Sequence, residues 1–343
     1  MPMRRAAASS RAACAGRPLC RSRAPHRQRG VAIISIMLVV MLATLIVSSL
    51  FWREHVTVRS VQNRLALAQV RWIEAAVLDW AAVVLRVDRT STGTVDHLAE
   101  TWATPVAETR LDETVTGGAR ISDTDSNALL AGQIFDAQSR LNLNNLVLAA
   151  GPSAVHREAF ERLLAVVGRP ESLAGVLQNR LLQAYPPLLG SQRPPASALP
   201  LMKLADLRTV PGFDEATIAA LEPFVIFLPK RVRVGQVDYN TEPSKVNLNT
   251  APSEVLAAVI EDIDLQAARR FVEGVRQRTF FASLDVARSR FDQSPALPPN
   301  LLSVGSEFFL VKGMIRFGRV ESHSEALLYR GSSRVELIWQ HRY

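Results

Sequence analysis

From Val31 to Trp52 the chain carries no charged side chain. That uncharged run of 22 residues is long enough to cross a hydrocarbon layer of ~30 Å as a helix rising about 1.5 Å per residue. No glycine or proline interrupts the chain from Val31 to Thr92. After Arg53 the apolar residues keep helical spacing: Val61, Leu65, Ala68, Trp72, Ala76, Trp80 and Val83, with Ile73 and Val77 widening the stripe. The pattern predicts one helix of roughly 55–60 residues, its first half in lipid and its second half laying this tryptophan-bearing stripe on a sheet.

Beyond Gly93 the pattern breaks into short β-prone pieces, among them Ala119–Ile121 and Gly132–Asp136, with Gly117-Gly118 as a turn. Helical spacing returns over 153–186 and 201–228, on either side of a proline-rich stretch from Pro186 to Pro200, and again from Ser253 to about Arg290. The end reverts to strands at Glu307–Phe317, Glu325–Arg330 and Arg334–Trp339. Strand pieces flanking an all-helical block imply an α+β protein: a long N-terminal helix on a small antiparallel sheet, with a large all-α domain inserted into it. The expected boundaries are 31–52 for the membrane-spanning half of the helix, 53–145 for the first part of the sheet domain, 146–298 for the insert and 299–343 for the closing strands.

Charge changes the reading of the N-terminus. The formal net charge is +8, yet residues 1–30 hold eight arginines and no acid. Without that leader, 32 basic side chains face 32 acidic ones, so the body has no global field to steer it towards phosphate. Both cysteines, Cys14 and Cys20, also lie in the leader, which excludes disulfides and thiolate metal sites from the rest. The uncharged run exceeds the ~7–15 residues of a secretory signal core, and no Ala-x-Ala site closes it. It therefore reads as a retained anchor, with the arginine-rich side cytoplasmic.

Candidate chemistry is sparse. No Gly-x-Ser-x-Gly, phosphate-binding glycine loop or His-Glu-x-x-His occurs, and the histidines lack metal-ligand spacing. The chain reads as non-enzymatic. Lys245–Leu256, with Asn247, Asn249 and Pro252, resembles helix-hairpin-helix proteins, and Leu201–Leu221 is a weaker second copy. Thr250 or Ser253 would cap the helix that follows. The hairpins set Glu261, Asp262 and Asp264, or Asp214 and Glu215, where a phosphate would sit, which argues against nucleic acid. Three oxygen-rich groups are candidate cation ligands: Asp123, Asp125 and Asn127, which fail the EF-hand pattern at Ala128 and Ile134; Asp136 with Asn142 and Asn144; and Asp238, Asn240 and Glu242.

Arg29-Gly30-Val31-Ala32, the long helix behind it, Asp136–Asn144, Val210–Phe213, Val246–Pro252 and the final strands together resemble the K-type minor pseudopilins of type II secretion. The resemblance covers nearly all of the chain after Gly30. It implies cleavage between Gly30 and Val31 by the prepilin peptidase and N-methylation of Val31. It also implies a pilin-like fold with an inserted helical domain, and a single-pass inner-membrane anchor with a periplasmic body. The implied partners are the I-type and J-type minor pseudopilins and the other pseudopilins of the fibre, with structural calcium. Most pilins carry glutamate five residues into the mature chain; here that residue is Ser35, as expected of a subunit at the tip with none above it. A competing reading is a membrane-anchored helix-hairpin-helix DNA-binding protein of a competence or type IV pilus system.

Overall fold

The computed structural model describes residues 29–110, 128–186, 195–234, 237–240, 242–291, 294–332 and 334–343. Two compact units are formed, Met1–Gln62 and Asn63–Tyr343. Helix α1 (Arg29–Thr92) is 64 residues long and contributes to both. In the first unit every side chain from Val31 to Gln62 is exposed, and the helix there is long and apolar enough to cross a membrane.

In the second unit α1 lies on an antiparallel sheet of five strands: β1 (Val106–Arg110), β2 (Ala128–Asp136), β3 (Phe308–Phe317), β4 (Val320–Arg330) and β5 (Val335–Arg342), paired in that order. The strand expected at Glu325 begins at Val320 instead. Gly318, at φ +59°, closes a tight hairpin that already pairs Phe317 with Val320. β2 pairs with β3 from Ala128–Phe317 to Asp136–Phe309. Where Gly132 pairs with Gly313, a side chain on Gly132 would meet the Lys312 carbonyl at 2.9 Å, so only glycine fits there.

Alternation along β3 divides the core. Phe309 and Val311 join Ile134, Leu328 and Trp102 under Ala81 and Leu85 of α1. Phe308 and Leu310 join Leu327 on the other face, against Ile226 and Leu228. The face of α1 laid on the sheet is not the predicted one. Val70, Glu74, Ala81, Leu85 and Asp88 are buried, while Trp72 and Trp80 are 78% and 53% exposed. The reading from hydrophobicity passed over Glu74 and Asp88. Their burial is met by cations from the sheet, since Arg342 donates to Glu74 and Arg330 to Asp88.

Between β2 and β3 the chain builds a second core running from Leu141 to Leu302, slightly wider than the expected insert. Its helices are α2 (Ala154–Val166), α3 (Leu173–Ala184), α4 (Glu215–Leu221), α5 (Ser253–Val259), α6 (Leu265–Arg269) and α7 (Leu284–Arg288). The expectation of an all-α insert is corrected by four short strand pairs. Leu141-Asn142 runs parallel to Val225-Ile226, and Val246-Asn247 parallel to Leu302-Ser303. Val147-Leu148 pairs antiparallel with Gly151-Pro152, and Arg231–Val234 with Val237–Asn240. The parallel pairs give partners to backbone groups where the insert leaves and rejoins the sheet, a need that hydrophobic spacing does not record. The predicted strand at Ala119–Ile121 lies outside the described residues.

Candidate functional site

Gly30 and Val31 lie in the first turns of α1. Ser35 is exposed and donates its hydroxyl to the Val31 carbonyl at 2.8 Å, a bond contained within the helix. The hydroxyl is thus satisfied locally and presents no charge to a neighbour.

The oxygen-rich candidates are placed as follows. Asp123, Asp125 and Asn127 lie outside the described residues. Asp238 and Asn240 are on the short strand Val237–Asn240, and Glu242 beyond it is exposed. Asp136 is buried, but donors occupy its carboxylate. Gln138 N–H reaches Oδ1 at 2.7 Å, while Thr250 Oγ1 at 2.5 Å, Ser306 Oγ at 2.6 Å and Asn247 Nδ2 at 2.9 Å reach Oδ2. Burial raises its pKa to about 6, and the bonds from Ser306, Thr250 and Gln138 hold it back from rising further. Asn142 Oδ1 accepts from Asn144 N–H at 3.1 Å and Leu228 N–H at 3.0 Å. Asn144 donates to the Leu228 carbonyl at 2.9 Å, and its own Oδ1 has no partner. With their acceptors so committed, Asp136 and Asn142 do not fit calcium; they tie the insert to the sheet.

Sequence reading missed a cluster at the end of α1. Oxygens of Asp88, Asp96 and Glu100, all buried, lie within 4.8 Å of one another. A cation could be held by such a set, but Arg330 already supplies the positive charge. Its Nη1 donates to Asp88 at 2.9 Å, and its Nη2 to Asp96 Oδ2 at 2.6 Å and to the Ser306 carbonyl at 2.9 Å. Glu100 Oε2 accepts from His97 N–H at 2.9 Å and Trp102 Nε1 at 2.8 Å, while Oε1 has no hydrogen bond and lies 4.0 Å from His97 Nε2. Burial, with Glu100 nearby, pushes Asp88 up to about 6, and burial raises Asp96. The three acids are close in sequence, but the cation that joins them, Arg330, is more than 200 residues away, and no local motif marks the set. Gly305 permits their assembly, because a side chain there would meet the Thr94 carbonyl at 1.8 Å.

The two helical-pair motifs fold as short helices joined by turns. One runs from α5 to α6; the other runs from the 3₁₀ turn Leu204–Thr209 to α4. Their acids have a structural duty. Asp264 accepts from Ala267 N–H at 2.6 Å and Asp214 from Thr217 N–H at 2.7 Å. Each caps the second helix with the protein's own carboxylate, filling the place a phosphate would take. Neither Thr250 nor Ser253 caps α5 as expected. Thr250 is drawn to Asp136, and Ser253 donates to Glu254 at 3.0 Å.

Comparison with known proteins gives a consistent picture. Residues 139–230 and 246–305 match two family models, both described as type II secretion system (T2SS), protein K. A type II secretion system protein K of Pseudomonas aeruginosa is 30% identical over 325 residues, 89% of each chain. That of Pectobacterium carotovorum is 24% identical, covering 91% of this chain and 95% of its own. Among solved structures, a chain of the GspK-GspI-GspJ complex from the enterotoxigenic Escherichia coli type 2 secretion system matches with a TM-score of 0.58 and 18% identity, covering 82% of this chain and 99% of that one.

Proposed function

The chain belongs to the type II secretion system protein K family and is a minor pseudopilin; we propose that it starts the periplasmic pseudopilus and then caps its tip. Val31–Trp52 holds it in the inner membrane as a single span, with the arginine-rich leader on the cytoplasmic side. Cleavage between Gly30 and Val31 by the prepilin peptidase, followed by methylation of Val31, releases the mature start. The domain plan follows the same lines: leader 1–30, span 31–52, sheet domain 53–145 and 299–343, insert 146–298.

The observation that carries the tip position is the core from Leu141 to Leu302 placed between β2 and β3. A bulk of this size on one subunit would collide with a copy stacked above it, so it is tolerated only at an end. Ser35 supports the same reading. Its hydroxyl is satisfied by Val31, so no carboxylate waits for the amino terminus of a subunit overhead, where an unpaired charge in an apolar fibre core would be costly. The I-type and J-type minor pseudopilins are its immediate partners, and its part is assembly rather than catalysis. Gold labelling of the insert on isolated pseudopili tests the position: label at one end supports the cap, and label along the length refutes it.

A further inference from the structure

The carboxylates gathered at the end of α1 outnumber the charge that neutralises them. Asp88, Asp96 and Glu100 are all buried, with oxygens within 4.8 Å of one another, and Arg330 is the cation among them. Its guanidinium is held by Asp88, Asp96 and the Ser306 carbonyl, and it lies over the Phe309 ring at 4.6 Å. Glu100 receives no bond from it. Oε2 of Glu100 is filled by His97 N–H and Trp102 Nε1, but Oε1 is enclosed and accepts no hydrogen bond. Three ionised acids around one guanidinium leave negative charge in excess and out of water, which is costly unless a proton offsets it.

Each element packed on the cluster adds to this imbalance or leaves it unchanged. On the loop after α1, His97 Nε2 stands 4.0 Å from Glu100 Oε1, beyond hydrogen-bond reach, while its Nδ1 accepts Ala99 N–H at 3.3 Å. Arg89 of α1 acts on Glu307 and Tyr329. At the end of β2, Asp136 adds a further negative field at Asp96. Ser306 before β3 donates its N–H to Asp96 Oδ2 at 2.7 Å. The insert contributes two uncharged groups. Asn247 donates Nδ2 to the Asp96 carbonyl at 3.1 Å, and Phe280 stacks on His97 with ring centroids 3.9 Å apart. Residues 94–103 are thus held between α1, the sheet and the insert.

We propose that the cluster is a proton-operated latch, in which one proton shared between Glu100 Oε1 and a carboxylate oxygen of Asp88 closes residues 94–103 onto the end of α1. A charge-assisted O–H···O bond spans about 2.5–2.7 Å, so the proton draws the two side chains together. Its loss sets two carboxylates against each other and loosens the segment, and with it the insert loop that carries Phe280. Burial, then Glu100, pushes Asp88 up to about 6. The closed latch therefore binds the proton more tightly than the open one. Acid favours closure, and closure is lost as pH rises through that value. The seating of the insert on the sheet domain thereby answers to the pH around the body.

Hydrogen exchange of the full-length chain in detergent micelles, corrected for the intrinsic pH dependence of exchange, reads the latch between about pH 5 and pH 7.5. Protection of residues 94–103 should fall roughly ten-fold or more over that interval, since one unit of pKa shift is a ten-fold change, while α3 stays constant. Glu100→Gln should remove the pH response and keep protection high, because its amide can donate to Asp88 where the proton stood. Asp88→Asn should do the same from the other side, which preserves the test if one variant fails to fold. His97→Gln should leave the response intact. Protection of 94–103 that does not change with pH overturns the proposal, as does a response that survives both Glu100→Gln and Asp88→Asn. A response abolished by His97→Gln alone puts the proton on the imidazole and overturns it as well.

Discussion

Arg330, the last residue of β4, donates Nη2 to Asp96 Oδ2 at 2.6 Å, and both side chains are 1% exposed. This bond joins the sheet to the loop that follows α1, and Nη1 extends the grip to Asp88 on the helix itself. Replacing Arg330 with methionine keeps much of the volume but leaves two carboxylates buried with no cation. We expect a loss of about 3–5 kcal/mol, measured by urea unfolding of the soluble body. Adding Asp96→Asn to Arg330→Met should restore part of that loss.

Asp136 closes the junction between the sheet and the insert, gathering Asn247, Thr250 and Ser306 on a single oxygen. Asp136→Ala removes the acceptor for all three and opens a polar hole, at a cost of about 2–4 kcal/mol. Hydrogen exchange should then show faster opening at residues 246–250 and 304–307 than in α2 and α3. Uniform loosening across the insert would contradict the assigned role.

Acid should act on His156 and on the buried carboxyls with opposite signs. Burial pushes His156 down to about 4 from 6.5, so between those values the unfolded chain binds more protons and acidification removes stability. Asp88 and Asp136 are pushed up to about 6 from 3.8. In that interval the folded chain binds more protons, and acidification adds stability. His156→Gln should therefore raise the unfolding midpoint relative to the unaltered chain as pH falls from 7 to 5. Midpoints that fall in parallel would show that His156 does not titrate in this way.

Asp264 and Asp214 serve as helix caps. Asp264→Ala should cost about 1 kcal/mol and should create no affinity for DNA. A gel shift with residues 53–343 at low salt should show no complex for the unaltered chain. A complex that weakens steeply with added salt would revive the DNA-binding alternative.

Much of this fold is legible in the sequence. The absence of glycine and proline from Val31 to Thr92 foretold α1, and alternation with a glycine turn foretold β3 and β4. What could not be read was which face of α1 is buried. Hydrophobic spacing favoured the tryptophan side, whereas Glu74 and Asp88 face the sheet because Arg342 and Arg330, more than 240 residues along the chain, neutralise them. Among the described candidate cation ligands, the surroundings of two were hidden for a related reason. Asp136 and Asn142 look free in a local motif, but their acceptors are taken by donors from distant segments such as Ser306 and Leu228. The acids of the helical pairs, expected to repel a phosphate, also cap the second helix of each pair, a duty that appeared only once the turns were formed.

Entry into the fibre begins with one chemical event, the conversion of a precursor into a subunit that begins at Val31. Intact-mass and N-terminal sequencing of the chain isolated from inner membranes measures it most directly. The predicted result is a protein that starts with N-methylated Val31, retains the segment to Trp52, and has lost both cysteines with the leader. An intact leader, or a mature start beyond Trp52, would show that the chain is not processed as a pilin-type subunit.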